Sequence, residues 1–291
     1  MKMHHRAAHR ALQLLFLSAL LAPLSPALAQ RAVLAFAEQP AKLIRKTTVH
    51  EAPAGARLQS GDIVETDKRW LQLEWPGDAI LALGPASSVL LGDAGGAPTV
   101  SLLRGWLKVS AGQRAARPLT IQAGGLELRT GGEGGSGVLH LSADQVELFV
   151  EQGTLAVTDR EKSASAVTVN REHYAQRGGG LALRVAQRPP PAFIAAMPRS
   201  FFDTLVAVAN RAVPAAVKPL REAGAADLAE WTNLAPMLSR QLVTQFSARL
   251  ADPLFAGDAE TMLAANPHWR QAIQQATSVR RRQNTISNVL F

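Results

Sequence analysis

The chain has 291 residues, 47% of them hydrophobic, which is enough to bury a core and to build more than one domain. It contains no cysteine, and this excludes disulfide frameworks, thiolate metal sites and cysteine nucleophiles. A formal net charge of +8 can attract a protein to anionic lipid or cell-wall polymer. The single tyrosine argues against a nucleic-acid partner, because such proteins often stack bases on aromatic rings.

Residues 1–29 are predicted to be a secretory signal peptide. The basic stretch MKMHHRAAHR precedes the short leucine-rich stretch ALQLLFLSALLAPL and then SPALA, which ends in an Ala-x-Ala pattern. We expect cleavage after Ala29, so that the mature chain begins at Gln30 and is located in the periplasm. An uncleaved membrane anchor is the alternative, but Pro23 interrupts an apolar run that is shorter than the ~20 residues of a span. We expect no transmembrane segment in the mature chain and, in that compartment, no nucleic acid.

Residues 30–186 are predicted to form a mainly β domain. In RWLQLEW, for example, Leu71, Leu73 and Trp75 alternate with polar residues. Further short strands are indicated by AILAL, SVLL, LTIQ, LELR, VLHL, VELFV, TLAV, AVTV and LALRV. Turn residues separate them at close intervals, and this is typical of a solenoid-like or sandwich-like stack of short strands.

One phrase occurs twice in this β region, as SLLRGWLKVSAG around Gly105 and as ELFVEQGTLAVTD around Gly153. Leu102 and Leu107 are separated by an odd number of positions, so a straight strand would place them on opposite faces. A corner at the glycine, which tolerates positive φ, would bring both side chains to the core. We therefore predict two units of about 48 residues that turn at a glycine and stack their apolar faces.

The sequence after the β region predicts helices. Residues 187–198, QRPPPAFIAAMP, are predicted to be a stiff proline-rich linker that favours a separate helical bundle over helices docked on the β domain. The helical domain is predicted to span residues 199–276. Its first helix is indicated by a stripe of apolar residues at Phe202, Leu205 and Ala209.

A longer apolar stripe follows at helical spacing and is formed by Leu228, Trp231, Leu234, Leu238, Leu242, Phe246 and Leu250. The pairs Asp252-Pro253 and Asn266-Pro267 predict the N-termini of two further helices. Residues 277–291, which include the basic run at 280–282, lack periodicity and are predicted to be a basic flexible tail.

The chain contains no motif that predicts catalysis. Gly132, Gly134 and Gly137 have the G-x-G-x-x-G spacing, but β sequence follows where a dinucleotide site needs a helix. Ser136 lacks the second glycine of a nucleophile elbow. Four histidines follow the signal peptide, and their spacing is not that of metal ligands: His50, His140, His173 and His268. We therefore expect a protein without a cofactor, a metal or enzymatic activity.

The β region resembles the FecR domain family over residues 33–186. In chain order, the stretches that carry the resemblance are GARLQSGDIVETDKRWLQLEW, LALGPASSVLL, LLRGWLKVS, VELFVEQGTLAV and VNREHYAQRGGG. The family's turn positions correspond to Gly61, Asp62, Gly84, Gly105 and Gly153. The resemblance implies a periplasmic β-solenoid-like sensor module. In iron-transport members this module relays a signal from an outer-membrane receptor to a cytoplasmic sigma factor.

Two features distinguish this chain from the iron-transport members of the FecR family. Only ten residues precede the hydrophobic segment, which is too few for a cytoplasmic sigma-binding domain, and the segment itself is predicted to be cleaved. The C-terminal part predicts helices where those members often carry a mixed α/β module. We therefore expect a non-enzymatic module of signalling or envelope maintenance that binds an unknown envelope protein through its β surface.

The alternative function is binding of peptidoglycan or another cell-wall glycan. Trp70, Trp75 and Trp106 are the candidate contacts, because indole rings can stack on sugar rings. Trp106 is the strongest of the three, since strand alternation places it on the face opposite to Leu107 and Val109.

Overall fold

The computed structural model describes residues 32–75, 79–94, 97–112, 118–143, 145–162, 165–178, 180–209, 212–232 and 234–290, with the backbone alone for 131–133 and 283–290. Arg31–Phe291 forms one compact unit. The predicted signal peptide and its cleavage site lie outside the described residues.

The strands are β1 (Val33–Ala37), β2 (Ala41–Arg45), β3 (Thr48–Ala52), β4 (Ile63–Glu65), β5 (Leu71–Trp75), β6 (Ala79–Leu83), β7 (Ser88–Ala94), β8 (Ala97–Ala111), β9 (Thr120–Ala123), β10 (Leu126–Leu141), β11 (Gln145–Asp159), β12 (Ala166–Asn170), β13 (Tyr174–Gly178), β14 (Arg184–Ala186) and β15 (Lys218–Glu222). The prediction of a mainly β fold followed by a helical C-terminal region is confirmed.

Hydrogen bonding joins the fifteen strands of the described residues into one sheet, along the path β14-β13-β11-β10-β9-β8-β7-β4-β2-β3-β15. Off this path, β5 links β1 to β6, β6 pairs with β8, and β12 pairs with β11. The pairing of β8 with β9 is parallel. By contrast, β8 runs antiparallel to β6, β7 and β10.

The long strand β8 changes its neighbours at Gly105. Before the glycine it pairs with β7 and β9, and after it with β6 and β10. Gly105 has a φ of +82°, and Gly153 in β11 has a φ of +64°. A Cβ at Gly105 would lie 2.7 Å from the carbonyl oxygen of Ala86, so the bend leaves no room for a side chain.

These bends place residues from both halves of the long strands in one hydrophobic cluster, the main core. Leu102 and Leu107, which flank the first bend, are both fully buried there. So are Val150 and Leu155, which flank the second. Other members of the main core include Leu43, Leu73, Leu81, Val109, Leu139, Leu148 and Val157.

The helices are α1 (Pro191–Ala196), α2 (Pro236–Phe246), α3 (Pro253–Met262) and α4 (Pro267–Leu290), and short 3-10 turns span Arg199–Phe201, Ala225–Asp227, Ala229–Trp231 and Ser247–Ala251. The two predicted N-termini are confirmed. The Asp252 carboxylate accepts the amide hydrogen of Leu254, and the Asn266 side-chain oxygen accepts that of His268. In each case proline occupies the first helical position, where its missing N–H is not needed.

The helical region shares a second core with the sheet, which differs from the predicted separate bundle. Ile44, Ile63 and Leu90, all on strands, pack in one cluster with Phe246 and Trp269. The cluster also includes Leu103, Leu228, Trp231, Leu238, Leu242, Leu250, Phe255, Leu263 and Ile273. The helices therefore cover one face of the strands instead of forming an independent unit.

The proline-rich segment and the residues after it also differ from the prediction. Residues 187–198 contain the short helix α1, whose Phe193 is buried, so this segment packs on the protein and is not a free spacer. No helix forms over residues 202–208. Phe202 is exposed, whereas Phe201 and Leu205 are buried against strand residues, because tertiary contacts override the helical spacing.

The C-terminal residues are helical, which corrects the prediction of a flexible tail from residue 277. Helix α4 continues through Leu290. The stretch from His268 to Leu290 contains neither glycine nor proline, so nothing in the sequence stops the helix once the packed first turns have formed.

Candidate functional site

The structure distributes the three candidate tryptophans over two environments. Trp75 is 6% exposed and packs in the main core, so it cannot stack on a ligand in the folded protein, and this corrects its assignment as a contact. Trp70 and Trp106 are half-buried. They lie in different surroundings, which are described in turn.

Trp70 lines a cleft of about 620 Å³, which we call the Trp70 cleft. Its ring lies against that of Phe36, with centroids 4.7 Å apart and planes inclined by 32°. The other lining residues are Gln39, Pro40, Ala41, Lys42, Glu65, Thr66, Asp67, Lys68, Arg69, Leu71 and Arg104. An aromatic ring beside charged and amide groups is a combination that suits a polar ligand with an apolar face.

Two of the lining residues, Lys42 and Glu65, belong to an ion-pair network centred on Lys42. Its Nζ lies 2.9 Å from Glu65 Oε1 and 2.8 Å from Asp227 Oδ1. Burial disfavours the ammonium, but the hydrogen bond to Asp227 and the charge of Glu65 outweigh this and raise the pKa of Lys42. Burial raises the pKa of Glu65 more than Lys42 lowers it.

Asp227 responds in the opposite direction. Burial alone would raise its pKa, but hydrogen bonds from Arg221, Lys42 and the Gly224 amide hold the pKa well below its usual range. Asp227 belongs to the C-terminal region and Lys42 to β2, so this charge network also joins the helical region to the sheet.

The other cations of the cleft differ in how they are paired. Arg69 Nη1 lies 2.9 Å from Glu38 Oε2, and Arg104 forms an ion pair with Glu230. Lys68 forms no ion pair or hydrogen bond within the part of the chain that the structure describes.

Trp106 lies in an aromatic cluster on the outer face of the sheet. It stacks on His140, with ring centroids 4.1 Å apart and planes inclined by 15°, and it packs against Phe193 at 5.3 Å. The indole of Trp106 thus already packs against two rings of the same chain. The Tyr174 hydroxyl donates to Glu147, and His140 Nδ1 lies 3.0 Å from the other oxygen of that carboxylate.

The titration of this cluster follows from those contacts. Burial tends to raise the pKa of Glu147, but the hydrogen bonds from His140 and Tyr174 are stronger, so the pKa is lowered. Burial and the neighbouring carboxylate both raise the pKa of Tyr174. The lowered pKa favours the charged form of the Glu147 carboxylate, which accepts the hydrogen bond from Tyr174.

Residues 199–209, which we call the strap, cross the same outer face. Three buried side chains hold the strap by its main chain. Lys108 Nζ donates to the carbonyl oxygens of Phe201 (2.6 Å) and Asp203 (3.0 Å), and it is also paired with Glu151 Oε2 at 2.9 Å. Gln72 Nε2 donates to the carbonyl oxygen of Val206 at 2.8 Å.

Glu74 is the third of these side chains and binds the end of the strap. Its two carboxylate oxygens accept the amide hydrogens of Val208 (2.7 Å) and Ala209 (3.0 Å). Sequence reasoning missed this site. Strand alternation places Lys108 opposite Leu107, which predicts a solvent-facing lysine, and its partners on the strap are more than ninety residues away in sequence.

The candidate turn residues are placed as follows. Gly61 has a φ of +89° in open space, and the neighbouring Asp62 is buried, where it accepts two hydrogen bonds from Arg45. A Cβ at Gly84 would lie 2.8 Å from Trp106 Cβ and 2.9 Å from Pro198 Cγ. Gly84 therefore allows the segment before the strap to approach the sheet, whereas Asp62 ties a turn to β2.

A third surface is the free edge of β12. This strand pairs with β11 from Thr154↔Asn170 to Thr158↔Ala166, and no other strand of the described residues pairs with it. Its sequence, AVTVN, has no charged residue and no proline. Val169 is buried in the main core, whereas Val167 is 43% exposed.

Among the described residues, no helix combines the length and apolar character needed to cross a bilayer. No family model matches the chain, and no curated protein matches it. Two crystal structures of a candidate anti-sigma factor from Parabacteroides distasonis, at 2.50 Å and 1.65 Å resolution, are similar to it with a TM-score of 0.37 and identities of 11% and 10%. Each similarity covers 43% of this chain and 59% of the other chain, so the chain spans less than two thirds of either protein.

Proposed function

We propose that the chain is an exported, non-enzymatic interaction module of the bacterial envelope, whose FecR-like β region binds a protein partner. The pattern of residues 1–29 supports export to the periplasm, and the motifs of residues 33–186 support the FecR-like assignment. The observation that carries the proposal is the unguarded edge of β12.

Edges of sheets present unpaired backbone N–H and C=O groups, and proteins usually protect them with charges, proline, bulges or very short strands. Two other ends of this sheet show such protection. Strand β15 has the sequence KPLRE and an irregular register beside Pro219, and β14 has only three residues. Strand β12 has none of these features, so it can accept a further strand.

The partner is then a protein that presents an extended segment. Main-chain hydrogen bonds to β12 would supply affinity, and the exposed face beside Val167 would select an apolar side chain on the added strand. The absence of charge along β12 favours a segment whose central residues are also uncharged, because a buried unpaired charge is costly.

The test is crosslinking in intact cells with a photoreactive amino acid at Val167. We expect a covalent adduct with one defined envelope protein, and we expect Thr168→Lys on the same strand to abolish it. A photoreactive residue at Leu220 on the guarded edge of β15 is the matched control, because Leu220 is also an exposed apolar residue on an edge strand. Equal adducts from both positions, or adducts that survive Thr168→Lys, would contradict the proposal.

A second candidate function is binding of an acidic cell-wall glycan in the Trp70 cleft. It is favoured by the half-exposed indole of Trp70 beside Lys68, a cation with no partner among the described residues. The indole would stack on a sugar ring, and Lys68 would bind a carboxylate of the glycan.

Retention on purified sacculi tests this second candidate. Trp70→Ala and Lys68→Gln should each reduce retention, whereas Leu220→Ala, a truncation of an exposed residue outside the cleft, should not. Circular dichroism would show that the variants are folded. Retention that is unaffected by both cleft variants would exclude this site.

A further inference from the structure

The strap is recognised mainly through groups that every polypeptide has. The Lys108 ammonium, the Gln72 amide and the Glu74 carboxylate together bond three carbonyl oxygens and two amide hydrogens of residues 201–209. No side chain of the strap takes part in these bonds. Recognition of this kind does not depend on the identity of the bonded residues.

The identity of the strap enters through two apolar residues. Phe201 and Leu205, four positions apart, are buried against strand residues that include Ala82 and Val138. Between and after them, Phe202 and Val206 are exposed. The outer face of the sheet therefore selects large apolar side chains at two positions and ignores those between them.

The polar side chains beneath the strap would keep hydrogen-bond partners if the strap moved away. Gln72, Glu74, Lys108, Ser136 and Glu151 form a polar row on this face of strands β5, β8, β10 and β11. If the strap lifts away, water can satisfy these groups, and Lys108 keeps its ion pair with Glu151. Lifting the strap would leave no charged group buried without a partner.

The strap can also move without releasing what flanks it. Phe193 of α1 is anchored before it, and after it β15 pairs with β3. Residues 202–208 have no regular secondary structure, so no internal ladder of hydrogen bonds opposes a local opening.

We infer that this outer face is a binding groove for a short segment of a partner protein, and that the strap is its internal occupant. The partner segment has an irregular backbone and two large apolar side chains four positions apart, which is the chemistry of residues 201–205. The strap competes with the partner, so affinity depends on the fraction of molecules in which the groove is open. This site is separate from the edge of β12.

The probe for this groove is a fluorescent synthetic peptide with the sequence of residues 199–209, RSFFDTLVAVA, added to the mature full-length chain. Leu205→Ser in the protein weakens the internal occupant and leaves the groove unchanged. We expect Leu205→Ser to bind the peptide at least about tenfold more tightly than the wild type. Adding Lys108→Met to Leu205→Ser should abolish binding, and a peptide with alanine in place of both apolar anchors should not bind.

Hydrogen exchange of the wild type provides a readout that does not depend on any variant. We expect the amides of Val208 and Ala209 to exchange faster than those of β5 and β6, because they open locally while the sheet stays intact. Exchange of these two amides only upon global unfolding would overturn the inference. So would a folded Leu205→Ser protein that fails to bind the peptide, and neither result would affect the edge of β12.

Discussion

Lys42 on β2 and Asp227 in the C-terminal region form an ion pair, with Nζ 2.8 Å from Oδ1. The same ammonium contacts Glu65 on β4, so one lysine joins two carboxylates whose pKa values shift in opposite directions. The Lys42–Asp227 ion pair therefore helps to hold the helical region on the sheet. Because the pKa of Asp227 is shifted, this contribution to stability depends on pH.

Asp227→Asn should change the pH dependence of stability. A carboxyl whose folded pKa lies below its ordinary value of 3.8 stabilises the protein above that value, and the contribution is lost as the pH falls toward the folded pKa. We expect the free energy of unfolding of the wild type to fall more steeply than that of Asp227→Asn below about pH 4, as measured by urea titration. Parallel pH profiles would contradict this assignment.

Glu65→Gln is the matched comparison, because Glu65 contacts the same lysine. Its raised pKa means that folding disfavours its charged form, so its contribution to stability is present at low pH and is lost as the pH rises through the folded pKa. At neutral pH we expect Glu65→Gln to cost less stability than Asp227→Asn. The reverse order would show that the Lys42 network depends mainly on Glu65.

Gly105→Val and Gly153→Val should each destabilise the fold by a few kcal/mol. Both glycines have positive φ, and in both a Cβ would collide with backbone atoms. Gly112→Val is the control, because no described atom lies within 4 Å of its Cβ position and its φ is not positive. Equal midpoints of thermal unfolding for the Gly105 and Gly112 variants would contradict the account of the bend.

Trp269→Ala should destabilise the sheet together with the helices. Trp269 is buried in the core that α4 shares with Ile44 and Leu90, so we expect a loss of about 3–5 kcal/mol in one cooperative transition. Val279→Ala on the exposed side of α4 should have little effect. Two separate transitions, with only the helical signal altered, would indicate that the helices fold independently.

Export should yield a chain that begins at Gln30. The signal peptide pattern predicts this terminus, and N-terminal sequencing of the protein from the periplasmic fraction would test it. Recovery of the chain in the inner membrane with Met1 intact would contradict the prediction and would favour the uncleaved anchor.

The bends of the long strands could be predicted from the sequence, whereas the strap could not. Leu102 and Leu107 are an odd number of positions apart, so a straight strand cannot bury both on one face, and a bend at Gly105 is needed. This pattern is visible within a few residues of sequence. Phe201 and Leu205 have helical spacing, but their contacts come from strands that lie far away in the sequence. Such contacts decide the conformation of a segment with weak local preference, and no pattern within the segment records them.

The candidate ligand sites show the same division. In β5, Trp75 alternates with polar residues, a pattern that predicts one buried face and one exposed face. In the structure both faces of β5 are buried. One face packs in the main core and the other is covered by the strap, which supplies main-chain partners for Gln72 and Glu74. Alternation distinguishes the two faces of a strand, but it does not tell which of them later parts of the chain will cover.

The pairing of β3 with β15 has a consequence for the order of folding. Thr48 and Glu222 are hydrogen-bonded across 174 positions, so the outer side of β3 has no strand partner until that distant segment has docked. Contacts of such long sequence separation form slowly. Until Lys218–Glu222 is in place, the sheet ends in an open strand, which can pair with other incompletely folded chains.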